Sequence, residues 1–153
     1  MKVGIIIPMY NSQDTIKMAI NSCIDQTYND IKIFIVNDGS TDRSREIVEN
    51  FEKIDNRVHL INKQNGGVSS ARNVGIIKAI NEECHYICFL DADDFYANTY
   101  VEKLVNKIVT DGLDLVYCGY NLYENNRYKQ MTTKFVNEDV LRQFILGKLR
   151  VIT

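Results

Sequence analysis

Three carboxylates fall within four positions, Asp91-Ala92-Asp93-Asp94, directly after the apolar run Tyr86-Ile87-Cys88-Phe89-Leu90. Acids crowded at the tip of a buried element repel one another, so the pattern calls for a positive occupant. A hard divalent cation suits it best, since Mg²⁺ and Mn²⁺ prefer carboxylate oxygen and are commonly held by one or two carboxylates plus substrate phosphates. The plainer alternative is a solvated loop in which Asp94 caps the next helix. Polar or glycine-rich clusters close three other apolar runs: Pro8-Met9-Tyr10-Asn11-Ser12, Asn37-Asp38-Gly39-Ser40-Thr41-Asp42 and Asn65-Gly66-Gly67. Tyr10, between the lone proline and a helix start, is well placed to stack on a flat base, or else is a half-buried ring. Asn11 or Ser12 can equally be a helix cap, and Asp38 to Asp42 an ordinary turn running into another. Arg72 lies five residues past the Gly66-Gly67 turn, near a helix start where the dipole disfavours a cation. A cation placed against that bias implies an anionic or carbonyl partner, either a ligand or one of the aspartates.

These clusters need a scaffold that brings them together. Short β-branched runs alternate with segments of helical apolar spacing, which predicts parallel strands joined by crossover helices. The strands are expected at Val3 to Pro8, Ile31 to Asn37, Val58 to Asn62, Tyr86 to Leu90 and Leu113 to Cys118. Ile16/Ile20/Cys23/Ile24, Ile47/Val48/Phe51/Ile54 and Tyr100/Val101/Leu104/Val105/Ile108 each set apolar groups on one helix face. Thr99 and Glu102 have capping-box spacing, and Asp111-Gly112 reads as a helix stop. After Gly67, Ala71, Gly75 and Ala79 recur every fourth residue, a stripe that lets a helix lie close against a sheet. Beyond Gly119 a hairpin through Asn125-Asn126, returning over Tyr128 to Phe135, precedes a helix carrying Val140, Leu141, Phe144 and Ile145. In an open α/β sheet, ligands bind outside the carboxyl ends of the strands, where the strand order reverses. All four polar clusters would stand on that rim.

Composition narrows the function further. A chain of 153 residues with 45% apolar content suffices for one globular core. A net charge of -2 without a basic block argues against nucleic acid and against an anionic membrane surface. Cys23, Cys84, Cys88 and Cys118 lack a Cys-x-x-Cys pair and sit in apolar segments, the pattern of reduced structural thiols rather than of a zinc site with His59 and His85. The Val3 to Ile7 run is too short for a signal-peptide core and no run reaches transmembrane length, so a cytoplasmic protein is expected. The first cluster carries neither Gly-x-Gly-x-x-Gly nor Gly-x-x-x-x-Gly-Lys-Ser/Thr, against a dinucleotide-binding domain or a P-loop NTPase.

Taken in order, Ile5 to Asn11, Ile35 to Asp42, Gly66 to Asn73 and Phe89 to Asp94 resemble the family 2 glycosyltransferases over roughly the first 120 residues. The resemblance implies an α/β GT-A fold, a Rossmann-like, mostly parallel sheet flanked by helices. It implies a nucleoside diphosphate sugar donor, UDP-linked, Mg²⁺ or Mn²⁺ as cofactor, and direct inverting transfer to a glycan or lipid-linked acceptor at the inner membrane face. By similarity, Pro8, Tyr10 and Asn11 wrap the base, Asp38 accepts from it, and Arg72 contacts base or phosphate. Asp91 and Ala92 lie along ribose and diphosphate, and Asp93, with Asp91, holds the metal. Residues 1–120 form the donor domain, and 121–153 begin an acceptor-side region that is incomplete. The general base is not assigned, Glu124, Glu138 and Asp139 being the late acids. Two other readings remain: a module that binds sugar nucleotide without turnover, and an aspartate-based phosphatase using Asp91 and Asp93. The latter chemistry expects its acid pair after the first strand and a separate lysine for phosphate.

Overall fold

The computed structural model describes residues 1–116, 118–124 and 127–131. The chain divides into two compact units, Met1–Lys103 and Leu104–Thr153.

The first unit holds a four-stranded sheet of β1 (Val3–Met9), β2 (Ile31–Asn37), β3 (Val58–Asn62) and β4 (Tyr86–Phe89), in the order β3-β2-β1-β4. Every pairing in it is parallel, with Val3 opposite Ile31 and Tyr86, and Ile33 opposite Val58. Parallel strands need long crossovers, and α1 (Ile16–Ile24), α2 (Ser44–Ile54) and α3 (Val68–Asn81) supply them. The expected strand limits hold to within one residue. All seven residues of β1 are buried, as the central strand of a sheet covered on both faces must be. Ile6 and Phe34 join Ala79 of α3 in one cluster, while Ile5, Ile7, Ile33 and Ile35 point to the opposite face and are equally buried.

The small-residue stripe of α3 does what its spacing predicts, since Ala71, Gly75 and Ala79 are its buried residues. At Gly75 a methyl group would stand 2.4 Å from Ile6 Cγ2, so only glycine lets the helix backbone approach β1 this closely. Cys23 is buried, and desolvation, offset in part by a Ser22 hydrogen bond, pushes its thiol up to about 12. Cys118, by contrast, is exposed. Helix α4 (Tyr100–Asp111) starts in this unit with Glu102 accepting from Thr27 Oγ1 at 2.7 Å, so the acid of the expected capping box is engaged elsewhere.

In the second unit α4 ends as predicted. Gly112 is left-handed at φ 64, and the Leu113 N–H reaches back to Ile108 O at 3.0 Å. The strand expected over Leu113 to Cys118 is a misreading: residues 113–116 and 118 are not in a strand. Leu113 spends its N–H on the helix end rather than on a ladder, and Leu113 and Leu115 are exposed despite their alternation with Asp114. The hairpin is present as β5 (Tyr120–Glu124) and β6 (Arg127–Met131), antiparallel with Tyr120 opposite Met131. Its continuation to Phe135 and the helix of Val140 to Ile145 lie outside the described residues.

Candidate functional site

The chain steps outward from β1 to β2 to β3, then crosses back to place β4 on the other side of β1. The carboxyl ends of β1 and β4 therefore flank the switch point, where the two connections diverge and leave a crevice. Pro8 shows how the crevice stays open. Ile6 O accepts from the Leu90 N–H at 3.1 Å, so Ile6 faces β4, and by the two-residue period so does Pro8. β4 pairs only as far as Phe89, opposite Ile6, so the missing N–H of proline falls where β1 has no neighbour. A cleft of about 390 Å³ opens there, lined by Pro8, Tyr10, Asn11, Ser12, Thr15, Val68, Asp91, Ala92 and Asp93. Six of the expected site residues line it; Asp38 and Arg72 are not among the lining residues. Tyr10 is 53% exposed on the rim, free to present its ring face.

Cross-loop hydrogen bonds brace the tips of β1, β2 and β3. Asn11 takes the left-handed conformation at φ 48, which asparagine tolerates, and its side-chain oxygen accepts the Thr41 N–H at 2.8 Å. Its own N–H goes to Ser40 Oγ at 3.1 Å, so Asn11 ties two loops together and does not cap α1, whose cap is Thr15. Ser12 N–H donates to Ser44 Oγ at 2.7 Å. Asp42 accepts from the N–H groups of Gln13 and Ser44 at 3.0 and 2.9 Å. Asn37 donates to Asn62 Oδ1 at 2.8 Å and accepts the Ser40 N–H at 3.0 Å.

Asp38 is the centre of this bracing. Its carboxylate accepts from Lys63 Nζ, from the Gly66 N–H at 3.0 Å and from the Gly67 N–H at 2.7 Å. Its main chain is held too, the N–H by Met9 O at 2.9 Å and the carbonyl by Asn65 Nδ2 at 3.0 Å. Burial by itself would raise the carboxyl pKa, but Lys63 and the two glycine N–H groups outweigh it and hold it below the usual range. The expected base acceptor thus carries three protein donors, two on Oδ1 and one on Oδ2, and Oδ2 keeps capacity for a further donor.

The tip of β4 is built differently. Asp91 pairs with Arg72 at 2.6 Å, which supplies the partner expected for a cation near a helix start, and the guanidinium lies 6.0 Å from the Phe89 ring centroid. The loop behind the acids is anchored by side chains that give no sequence signal. Gln26, buried, donates to Ala97 O and Ser22 O at 2.8 Å and accepts the Val101 N–H at 2.9 Å. Tyr96 donates to Phe89 O at 2.7 Å and stacks on Tyr100 at 4.0 Å. Asp93 is exposed on the cleft. The Asp94 carboxyl is raised first by its own desolvation and then by the charges of Asp93 and Asp91.

That donor set fits a hard divalent cation in one manner only. Among the described residues no three His, Cys, Asp or Glu side chains could hold a metal by themselves. Asp93 and Asp91, both in the cleft lining, are two hard oxygen donors that would suit Mg²⁺ or Mn²⁺, with phosphate oxygens and water completing its shell. Of the cleft lining, Thr15 and Val68 were missed in the sequence, and so was Lys63, which pairs with Asp38 outside it. A lysine placed one residue past a strand tip, among tips rich in aspartate, was the available signal for Lys63.

Comparison with known proteins agrees with this geometry. The glycosyl transferase family 2 model matches residues 4–151. EpsJ of Bacillus subtilis (strain 168), an uncharacterised glycosyltransferase, is 42% identical over 125 residues, or 82% of this chain and 36% of its own length. The glycosyltransferase GlyA of Streptococcus pneumoniae serotype 4 is 40% identical over 119 residues, 78% of this chain and 17% of that one. The structure of S. aureus TarS 1-349 in complex with UDP-GlcNAc superposes with a TM-score of 0.63 at 30% identity, covering 72% of this chain and 32% of that chain. The chain thus spans about a third or less of the length of these relatives. The α/β parallel sheet expected from the motifs is the one found, and the family model covers nearly every residue: the chain belongs to glycosyl transferase family 2.

Proposed function

We propose that this chain is the donor-binding part of a glycosyltransferase that takes a nucleoside diphosphate sugar, UDP-linked, and passes the sugar with inversion to a glycan or lipid-linked acceptor. The observation that carries this is the cleft at the β1/β4 switch point, with Pro8, Tyr10 and Asn11 on one wall and Asp91, Ala92 and Asp93 on the other. A neighbour at 30% identity that holds UDP-GlcNAc supports the choice of nucleotide. The exposed Tyr10 ring and Pro8 receive the base, while Ala92, buried and without a long side chain, leaves room for ribose and diphosphate. Arg72 keeps Asp91 oriented through their ion pair. Asp38 enters through the turn it holds. Mg²⁺ or Mn²⁺ held by Asp93 and Asp91 would supply Lewis-acid neutralisation of the departing diphosphate. The setting implied is the cytoplasm, at the inner membrane face where acceptors are lipid-linked; no helix of the described residues is long and apolar enough to cross a membrane.

Inverting transfer also needs a base on the acceptor hydroxyl, worth about 10²–10⁴-fold in rate. No base is assigned to this chain: Glu138 and Asp139 lie outside the described residues, and Glu124 belongs to the second unit. Since these two relatives are roughly two to five times as long, the 153 residues assayed alone are expected to bind donor and to transfer sugar poorly or not at all. Calorimetry of UDP with Mn²⁺ and with EDTA tests the reading. Binding strengthened by Mn²⁺ is expected; equal affinity under both conditions would remove the metal, and no binding would remove the donor site. Robust transfer to an added acceptor would show that the base lies within the chain.

A further inference from the structure

We infer that Lys63, which stands outside the cleft, is a positioning residue for the base end of the donor, acting through Asp38 and the Gly66-Gly67 turn on Val68. The inference rests on the donor-site reading above and deepens it.

The chain of contacts is short. Lys63 follows β3 directly, and its N–H still bonds Asn37 O at 3.0 Å, so its backbone is fixed by the sheet. Its ammonium reaches Asp38 Oδ1 and also donates to Gln64 O at 2.6 Å, which pins the amine between the two loops. Both side chains of the pair are largely covered, at 16% and 5% exposure, so solvent screens the pair weakly. The same Asp38 oxygen takes the Gly66 N–H, and the second oxygen takes the Gly67 N–H. The ammonium runs directly beneath Gly66, 3.0 Å from where a Cβ there would stand. Gly67 is left-handed at φ 86 and the next residue, Val68, opens α3.

Val68 lines the cleft while 51% exposed, so its apolar side chain is open there to a flat apolar surface. Tyr10, 53% exposed, belongs to the same lining. Tyr10 and Val68 are thus apolar surfaces for a base, distinct from the acids that face phosphate. Without the ammonium, a covered carboxylate keeps only two backbone donors. It then turns toward water or takes up a proton, and the turn that aims Val68 loosens with it. The phosphate end is built on β4, and Arg72 of α3 reaches Asp91 there only from a full turn past Val68, so the larger effect falls on the base.

The test uses UDP and inorganic pyrophosphate, each with Mn²⁺, titrated into the wild-type chain and into Lys63→Met and Lys63→Arg, with thermal midpoints measured in parallel. Expected is a loss of at least about tenfold in UDP affinity for Lys63→Met, with pyrophosphate affinity unchanged and recovery to within about threefold in Lys63→Arg. Lys63→Gln, which keeps a donor on a long stem, takes the place of Lys63→Met should that variant not fold, with the same thresholds. UDP affinity unchanged in the variant would overturn the inference. Parallel losses of UDP and pyrophosphate would overturn it too, by showing a general structural role. Failure of the wild-type chain to bind UDP at all would instead overturn the donor-site reading on which it rests.

Discussion

Aspartates stand at the tips of both β2 and β4, yet the two groups are treated in opposite ways. At the β2 tip, Asp38 and Asp42 each accept several protein donors, and both carboxyls sit below their usual pKa although burial alone would raise them. At the β4 tip, Asp91 has Arg72, whereas Asp93 faces the cleft and the Asp94 carboxyl is pushed up by desolvation and by its two acidic neighbours. The same residue type thus does mechanical work at one strand end and stores unbalanced charge at the other. A carboxylate whose partners are all in the fold stabilises the fold. One with no such partner among the described residues is available to a ligand.

The largest break in this contrast is expected at Asp38. Asp38→Ala strips the acceptor from Lys63 and from two N–H groups, and should cost about 3 kcal/mol, as for removal of one member of a covered ion pair. Urea unfolding measures it; a loss below about 1 kcal/mol would mean that the bracing is decorative. Asp93→Asn should do the reverse, leaving the unfolding midpoint within about 2 °C while removing Mn²⁺-enhanced UDP affinity by about tenfold, or 1.4 kcal/mol. Metal-enhanced binding that survives in this variant would place the ligand elsewhere.

Acid sharpens the comparison at smaller amplitude. Asp38 and Asp42 have folded pKa values below their unfolded ones, so each contributes stability that is complete above about pH 4 and is lost as pH falls through the lowered value. Urea midpoints from pH 6 to 3 should drop below about pH 4, with a shallower slope in Asp38→Asn. Asp94 carries the opposite sign. Its raised folded pKa means that the ionised group costs stability at neutral pH, a cost relieved as pH falls through that value. Asp94→Asn should therefore stabilise the metal-free chain by a few tenths of a kcal/mol, the group being exposed and well screened. Destabilisation by that variant without metal would show that the β4 tip is balanced after all.

Much of the scaffold was legible because it follows from periodicity. Four β-branched runs, each followed by a helical segment, leave little choice but parallel strands, and parallel strands bring their polar tips to one rim. The every-fourth-residue stripe of α3 foretold its close approach to β1 for the same reason. The run from Leu113 misled because alternation reports what a strand would look like, not whether a neighbour exists to pair with it. Six cleft residues fell in the tip clusters of β1 and β4 that local pattern put on the rim, and the family resemblance singled them out. Asp38 and Arg72 could be named as important but not placed, since an aspartate in a turn looks the same whether it meets a base or a lysine.

By itself, then, the sequence determined which residues stand on the rim, because side-chain period and strand polarity are local properties of the chain. Only the tertiary structure decided which of those acids are already neutralised. The partners of Asp38 lie 25 to 29 positions away and that of Asp91 lies 19 away, in segments whose approach depends on the strand order β3-β2-β1-β4. Charge compensation acts through space over a few ångströms, and no spacing along the chain encodes it.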